Sequence, residues 1–277
     1  MNDHWKEHVN ETTGAHRSSG GMRMNLRPWI ARLSAVVGLA LGGTAWAQLP
    51  LPPTAVWTPT AKAPDGMLTA LEGTRHDRSI ERAQKGIIDI VFFGSTDTEM
   101  WSWPDRGLSV WNQAFGSRNA ANFGSQGTRP ESLLWRMRNG ELDGYQAKVV
   151  VLQSFTIGDN AIPAEHLSEL LASYTAVITE IQARQPQAKI LLFAAFPRGR
   201  LRREPWRQVS EANAAALAKL VDDKTVFYVD IGNRFFLPDG SHNQEMWYLE
   251  FPNAGIHEPG FKVWAEELQP WLDRFVR

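Results

Sequence analysis

The chain has 277 residues, with 29 Lys and Arg against 30 Asp and Glu, for a formal net charge of −1. A balance this close to zero gives no electrostatic basis for a nucleic acid or an acidic membrane surface as partner. There is no cysteine, which excludes disulfides, thiolate catalysis and cysteine metal sites, while 12 tryptophans in a 43% hydrophobic chain point to a sizeable core and aromatic pocket walls.

Residues 1–21 are polar and without hydrophobic period. They read as disordered, or as upstream sequence from a mis-assigned start, with Met22 or Met24 as the true one. Residues 22–47 read as a signal peptide. Arg23, Arg27 and Arg32 make a basic n-region, Leu33–Leu41 an apolar h-region too short to span a membrane comfortably, and Ala45-Trp46-Ala47 a cleavage site. Cleavage after Ala47 predicts a periplasmic or secreted protein without stable membrane insertion. Residues 48–66 are a proline-rich leader, holding Pro50, Pro52, Pro53, Pro59 and Pro64. One domain is expected over 67–277.

Within it, residues 75–86 predict a short helix stopped by Gly86. The apolar, β-branched run Ile87–Phe93 then reads as a buried strand of a parallel sheet. It ends abruptly in Gly94-Ser95-Thr96-Asp97-Thr98, a sharp turn into a helix that Ser95, Thr96 or Asp97 can cap. Strand, tight turn and helix N-terminus together make a nucleophile elbow. A helix follows over Leu108–Phe115 and a short strand over Asn119–Phe123. After the turn at Gly124–Thr128, Thr128 caps a helix that Pro130 starts and that stops near Gly140. Strands are expected over Lys148–Leu152, Lys189–Phe193 and Val226–Val229. Pro163–Arg184 is an amphipathic helix, Arg198–Arg207 a basic loop, and Val209–Leu220 a helix. The last helix follows Pro259, and Pro270 should kink or break it.

Strands alternate with helices, so the chain predicts a doubly wound, flavodoxin-like parallel α/β sheet that binds its ligand at the carboxyl ends of the strands. The 7 histidines show no paired ligand spacing, so neither a metal nor a cofactor is expected.

The stretch Asp89–Phe92, Gly94, Thr98, Glu99 and Trp101 resembles the first block of the SGNH (GDSL) hydrolases, especially the branch of the platelet-activating-factor acetylhydrolase catalytic subunits. The branch reads roughly Asp-Ile-Val-Phe-Leu-Gly-Asp-Ser-Ile-Thr-Glu-Gly-Trp. The resemblance implies a three-layer α/β/α fold on a five-stranded parallel sheet, and an ester hydrolase whose parts come from four separated blocks.

In the first block Ser95 stands where the family has Asp, and Thr96 stands where it has the nucleophilic Ser. A threonine hydroxyl can attack a carbonyl, but its methyl crowds the elbow and restricts χ1. The alternative is that Thr96 or Asp97 only caps the helix. In the second block, Asn122–Thr128, Gly127 falls on the glycine whose N–H serves the oxyanion hole together with that of Thr96; the same glycine can also simply permit the turn. Leu134–Tyr145 is very close to the acetylhydrolase branch and carries no chemistry. In the third block Ile157 replaces the oxyanion Asn and cannot donate. In the last block His257 is retained as the base, or is a pocket or capping histidine, while its orienting Asp is replaced by Ala254. Asp97, Asp159 or Glu258 could stand in for that acid. Trp101, Trp103, Phe155, Asp97 and Asp159 are candidate pocket residues.

Together these departures imply an SGNH-fold protein with a degraded catalytic set. It binds an acylated, ester-like or glycan-like ligand with little or no hydrolysis. The alternative is an active esterase using Thr96 as nucleophile and His257 as base. The resemblance also admits a homodimer.

Overall fold

The computed structural model describes residues 70–153, 167–197, 203–248 and 255–276, all within one compact unit, Ala45–Arg277. The expected signal peptide and leader lie outside the described residues. The elements run α1 (Ala70–Gln84), β1 (Ile90–Phe93), α2 (Thr96–Glu99), α3 (Leu108–Phe115), β2 (Ala120–Asn122), α4 (Pro130–Arg136), β3 (Val149–Gln153), α5 (Leu167–Arg184), β4 (Lys189–Phe193), α6 (Arg203–Leu217), β5 (Val226–Val229), β6 (Trp247–Tyr248), β7 (Gly255–Ile256) and α7 (Glu258–Phe275).

Five strands form one parallel sheet in the order β2-β1-β3-β4-β5, and β6 pairs with β7 in a small antiparallel ribbon. After β1 the chain moves outward to β2, then crosses back to lay β3 on the other side of β1. That reversal puts the topological switch point between β1 and β3, and doubly wound sheets bind ligands at the carboxyl ends of the strands at such a point.

The strands are short, continuous apolar runs because both faces are covered. Val91, Phe93, Val150, Leu152, Ile190 and Leu192 point into one core, with Leu133, Tyr174, Ile178 and Ile181 from α4 and α5. Ile90, Phe92, Val149, Val151, Leu191 and Phe193 point into the other, with Trp101, Phe115, Phe261, Trp264 and Leu268. The period-2 alternation of strands sorts the side chains into two cores, and three layers result.

Several boundaries depart from expectation. β1 begins only at Ile90; Ile87 is left-handed, with φ 51°, and 75% exposed. Gly86, with φ 63°, does end α1, its N–H reaching the carbonyl of Ala83 at 2.9 Å. The residue at the N-cap of α4 is Arg129 rather than Thr128, and Ser132 Oγ accepts its backbone N–H at 3.0 Å. Thr128 is left with a different task, described below. The expected basic loop is helical from Arg203 onward, because Arg207 pairs with Glu204 and Glu211 one turn away on either side. Helix α7 runs unbroken through Pro270. Pro270 and Glu266, whose carbonyl the missing N–H would have met, both face solvent, so water can satisfy that carbonyl.

Candidate functional site

At the end of β1 the chain turns within two residues. A Cβ on Gly94 would lie 2.1 Å from Thr98 Oγ1 and 3.1 Å from Gln153 Cβ, so only glycine fits between β1 and the new helix. Ser95 occupies the N-cap position of α2, but its hydroxyl makes no capping bond. Thr96 is the first helical residue and is half-buried. Asp97, Thr98 and Glu99 turn inward. Thr98 Oγ1 donates to Gln153 Oε1 at 2.7 Å, and Gln153 Nε2 donates to Asp97 Oδ2 at 3.2 Å. The last residue of β3 therefore holds α2 by two adjacent side chains.

The loop after β2 lies directly on α2. A Cβ on Gly124 would meet the backbone nitrogen of Glu99 at 2.5 Å. The N–H of Ser125 reaches the carbonyl of Gly94 at 3.2 Å, and Asn122 Oδ1 accepts the N–H of Gly124 at 2.9 Å. Glu99 Oε2 accepts the N–H of Gln126 at 2.5 Å, while Glu99 Oε1 takes Arg75 Nη2 at 2.5 Å. Gly127, with φ 81°, turns the chain in the left-handed region and is exposed.

Beneath this loop sits a buried ion cluster. Arg136 and Glu141 are wholly buried. Arg136 donates Nε to Glu141 Oε1 at 2.8 Å and Nη2 to Glu141 Oε2 at 3.0 Å. Its remaining donors reach up to the loop, Nη1 to Thr128 Oγ1 at 2.8 Å and Nη2 to the carbonyl of Phe123 at 2.5 Å. His76 Nδ1 lies 2.9 Å from Glu141 Oε1, and a carboxylate already fixed by a guanidinium makes that nitrogen the donor. Tyr145 closes the cluster by donating to the carbonyl of Glu141 at 2.8 Å. Burial pushes its phenol well above the ordinary range, with the Glu141 and Asp143 carboxylates adding and Arg82 opposing. The Leu134–Tyr145 stretch, read from sequence as carrying no chemistry, thus supplies the buried support of the loop.

His257 lies between β7 and α7. Its N–H bonds to the carbonyl of Met246 at 2.9 Å and its carbonyl accepts from Phe261 at 3.1 Å. It holds the N-cap position of α7, yet its ring makes no capping bond, and Nε2 is buried. The segment is pressed onto the elbow: a Cβ on Gly255 would lie 2.7 Å from Met100 Cε. The Phe261 and Trp264 rings pack on Trp101 at 4.5 and 5.2 Å. The elbow Gly94–Glu99 and the loop with Gly127 therefore meet beyond the end of β1, and the segment before His257 touches Met100, the residue after α2. Of the carboxylates considered as substitute acids, Glu258 pairs with Lys262 at 2.8 Å on the surface, and Asp97 is bonded to Gln153. Phe155, Ile157, Asp159 and Ala254 lie outside the described residues.

Trp101 is fully buried in the aromatic core, and Trp103 is half-buried against it. Trp101 also lines a cavity of about 170 Å³ with Ser102, Trp111, Ala121 and Asn122, on the side of β2. Neither Thr96 nor His257 lines that cavity. Among the described residues no group of three or more His, Asp or Glu could hold a metal ion. No helix there is long and apolar enough to cross a membrane.

The family model for the GDSL-like lipase/acylhydrolase family matches residues 91–257, from the second residue of β1 to His257. The chain belongs to the GDSL-like lipase/acylhydrolase family. It is similar to the platelet-activating factor acetylhydrolase IB subunit alpha2 of Rattus norvegicus, 30% identical over 172 residues that cover 61% of this chain and 70% of the relative. It is also similar to the human IB subunit alpha1, 29% identical over 185 residues covering 65% of this chain and 75% of the relative. In fold it resembles a GDSL-like lipase from Bacteroides thetaiotaomicron, with a TM-score of 0.54 and 14% identity over 73% of this chain and 98% of that one. In this GDSL-family chain, sequence reasoning singled out Thr96, Gly127 and His257 but missed Gln153, Arg75, His76, Arg136 and Glu141. The one available signal was the placement of Arg136 and Glu141 inside the segment that most resembles the family.

Proposed function

We propose that this GDSL-family protein binds an acyl-ester-like or glycan-like ligand in the crevice between the elbow and His257, and hydrolyses esters little or not at all. The observation that carries the reading is the Glu99–Gln126 bond, which with Gly94 and Gly124 keeps elbow and loop in close register. The frame is kept while side chains that the chemistry requires differ from those of the family.

Ester hydrolysis needs a nucleophile, a base, a group to orient the base, and oxyanion donors. Thr96 supplies a hydroxyl with a crowding methyl. Ile157 offers no donor, and removal of one oxyanion donor costs about 10²–10³ in rate. Ala254 offers no carboxylate, and loss of that role costs roughly 10⁴ when the rest is intact. Such losses do not add simply. The backbone N–H groups of Gly127 and Thr96 remain suited to an ester or acetyl carbonyl, which needs only donors to be bound. The platelet-activating factor acetylhydrolase names of the relatives support acyl esters as the ligand class. Secretion after cleavage at Ala47, and a homodimer, belong to the same proposal and rest on sequence alone.

Treatment of the full chain with a fluorophosphonate probe, followed by peptide mass spectrometry, tests this reading. The expected result is no adduct on Thr96. A stoichiometric adduct there, lost in His257→Ala, would establish the active esterase instead.

A further inference from the structure

We propose that helix α1 positions the oxyanion loop, with Arg75 and His76 as positioning residues. The inference rests on the reading that the Gly127 N–H faces the ligand, and it concerns a helix that precedes the family match at residues 91–257.

Arg75 and His76 are consecutive on α1. Neighbouring helical residues diverge by about 100°, so the two side chains can meet two different carboxylates. Arg75 Nη2 fixes Glu99 Oε1 at 2.5 Å, and the other oxygen of Glu99 accepts the Gln126 N–H at 2.5 Å. His76 Nδ1 donates to Glu141 Oε1 at 2.9 Å, and Glu141 holds the Arg136 guanidinium in its plane at 2.8 and 3.0 Å. Arg136 then grips Phe123 O at 2.5 Å and Thr128 Oγ1 at 2.8 Å. Two side chains of one helix thus reach the loop at three points, Phe123, Gln126 and Thr128, which bracket Gly127.

The chemistry of the links matters. Every link is charge-assisted, so each is short and directional. The carboxylates and Arg136 are buried, and a buried charge that loses its partner pulls its neighbours toward solvent or toward new partners. Gln126 and Gly127 themselves are exposed. The Glu99 carboxylate fixes the Ser125–Gln126 peptide, and the Thr128 N–H, bonded to the Ser125 carbonyl at 3.2 Å, closes the turn that carries Gly127. Donors fixed in advance hold an oxyanion or ester carbonyl better than donors that must be ordered at binding.

Residue-resolved amide hydrogen exchange on the full ¹⁵N-labelled chain, without ligand, tests the proposal. In Arg75→Met the Gln126 amide is expected to exchange about tenfold faster, and the Gly127 resonance to move, while Val150 and Leu191 in the sheet stay within about twofold of wild type. Arg75→Lys should restore most of the protection. His76→Ala should move the Thr128 and Gly127 resonances, and His76→Asn, which keeps a donor near the Nδ1 position, should move them less. Unchanged exchange and resonances at residues 126–128 would overturn the proposal. So would acceleration spread evenly over loop and sheet, or failure of Arg75→Lys to restore protection. Should Arg75→Met not fold, Arg75→Lys and His76→Ala decide on the same resonances. Because no ligand is used, a protein that binds no ester leaves this test intact.

Discussion

Thr98 and Gln153 are joined side chain to side chain at 2.7 Å, tying the helix of the elbow to the last residue of the central strand β3. The same amide also holds Asp97 at 3.2 Å. Gln153 is 3% exposed, so neither Asp97 nor Thr98 can exchange it for bulk water. Gln153→Leu fills the space but removes a hydrogen-bond partner from both. A loss of about 1–3 kcal/mol in urea unfolding is expected, against a small effect for Gln153→Glu at low pH, where the protonated acid can still donate.

The elbow also makes a steric prediction. Gly94→Ala places a methyl 2.1 Å from Thr98 Oγ1 and 3.0 Å from Thr98 Cβ, and should cost about 1–3 kcal/mol or prevent folding. Gly73→Ala is the contrast. It lies within α1, and a Cβ there meets nothing within 4 Å. It should stabilise by about 0.5–1 kcal/mol, raising Tm in a thermal melt.

Alkaline pH should weaken the fold. Burial first, then the Glu141 and Asp143 carboxylates, hold the Tyr145 phenol neutral; burial, then Asp230, does the same for Tyr228. Both phenols have raised values in the folded chain and ordinary ones, near 10, when unfolded. Their contribution is therefore fully present below about pH 10 and lost as pH rises toward the folded values. Chemical denaturation between pH 7 and 11 should show a flat region followed by a decline. Tyr145→Phe should lower stability by about 1 kcal/mol at neutral pH, through the lost bond to the Glu141 carbonyl, and flatten the alkaline decline.

The elements were legible where periodicity is strong. Lys189–Phe193, Val226–Val229 and Leu108–Phe115 fall where the pattern puts them. Apolar runs mark strands buried on both faces, whatever surrounds them. Ends of elements were less legible because tertiary partners decide them. Ile87 continues the apolar run of β1, yet its left-handed backbone, with the carbonyl bonded to Arg82, keeps it out of the strand. Pro270 breaks helices in isolation, but in α7 packing of Trp264, Leu268 and Leu272 on the core outweighs one missing bond.

At the site, Gly94 and Gly127 were readable, since turn geometry is local. The supports were not. Arg75 meets Glu99 across 24 positions and His76 meets Glu141 across 65, and no local spacing encodes such pairs.

Restoring the family side chains should restore chemistry if only the side chains were lost. The triple variant Thr96→Ser, Ile157→Asn and Ala254→Asp is expected to raise hydrolysis of p-nitrophenyl acetate by at least about 10²-fold over wild type, the effect of one recovered oxyanion donor. A folded triple variant with no gain would mean that the crevice itself no longer admits an ester.

The most direct measurement is turnover by the unmodified chain. Hydrolysis of short-chain p-nitrophenyl esters should be compared between wild type and Thr96→Ala at matched, folded concentrations. The account predicts the same slow rate for both. Clear turnover by wild type, abolished in Thr96→Ala, would contradict it.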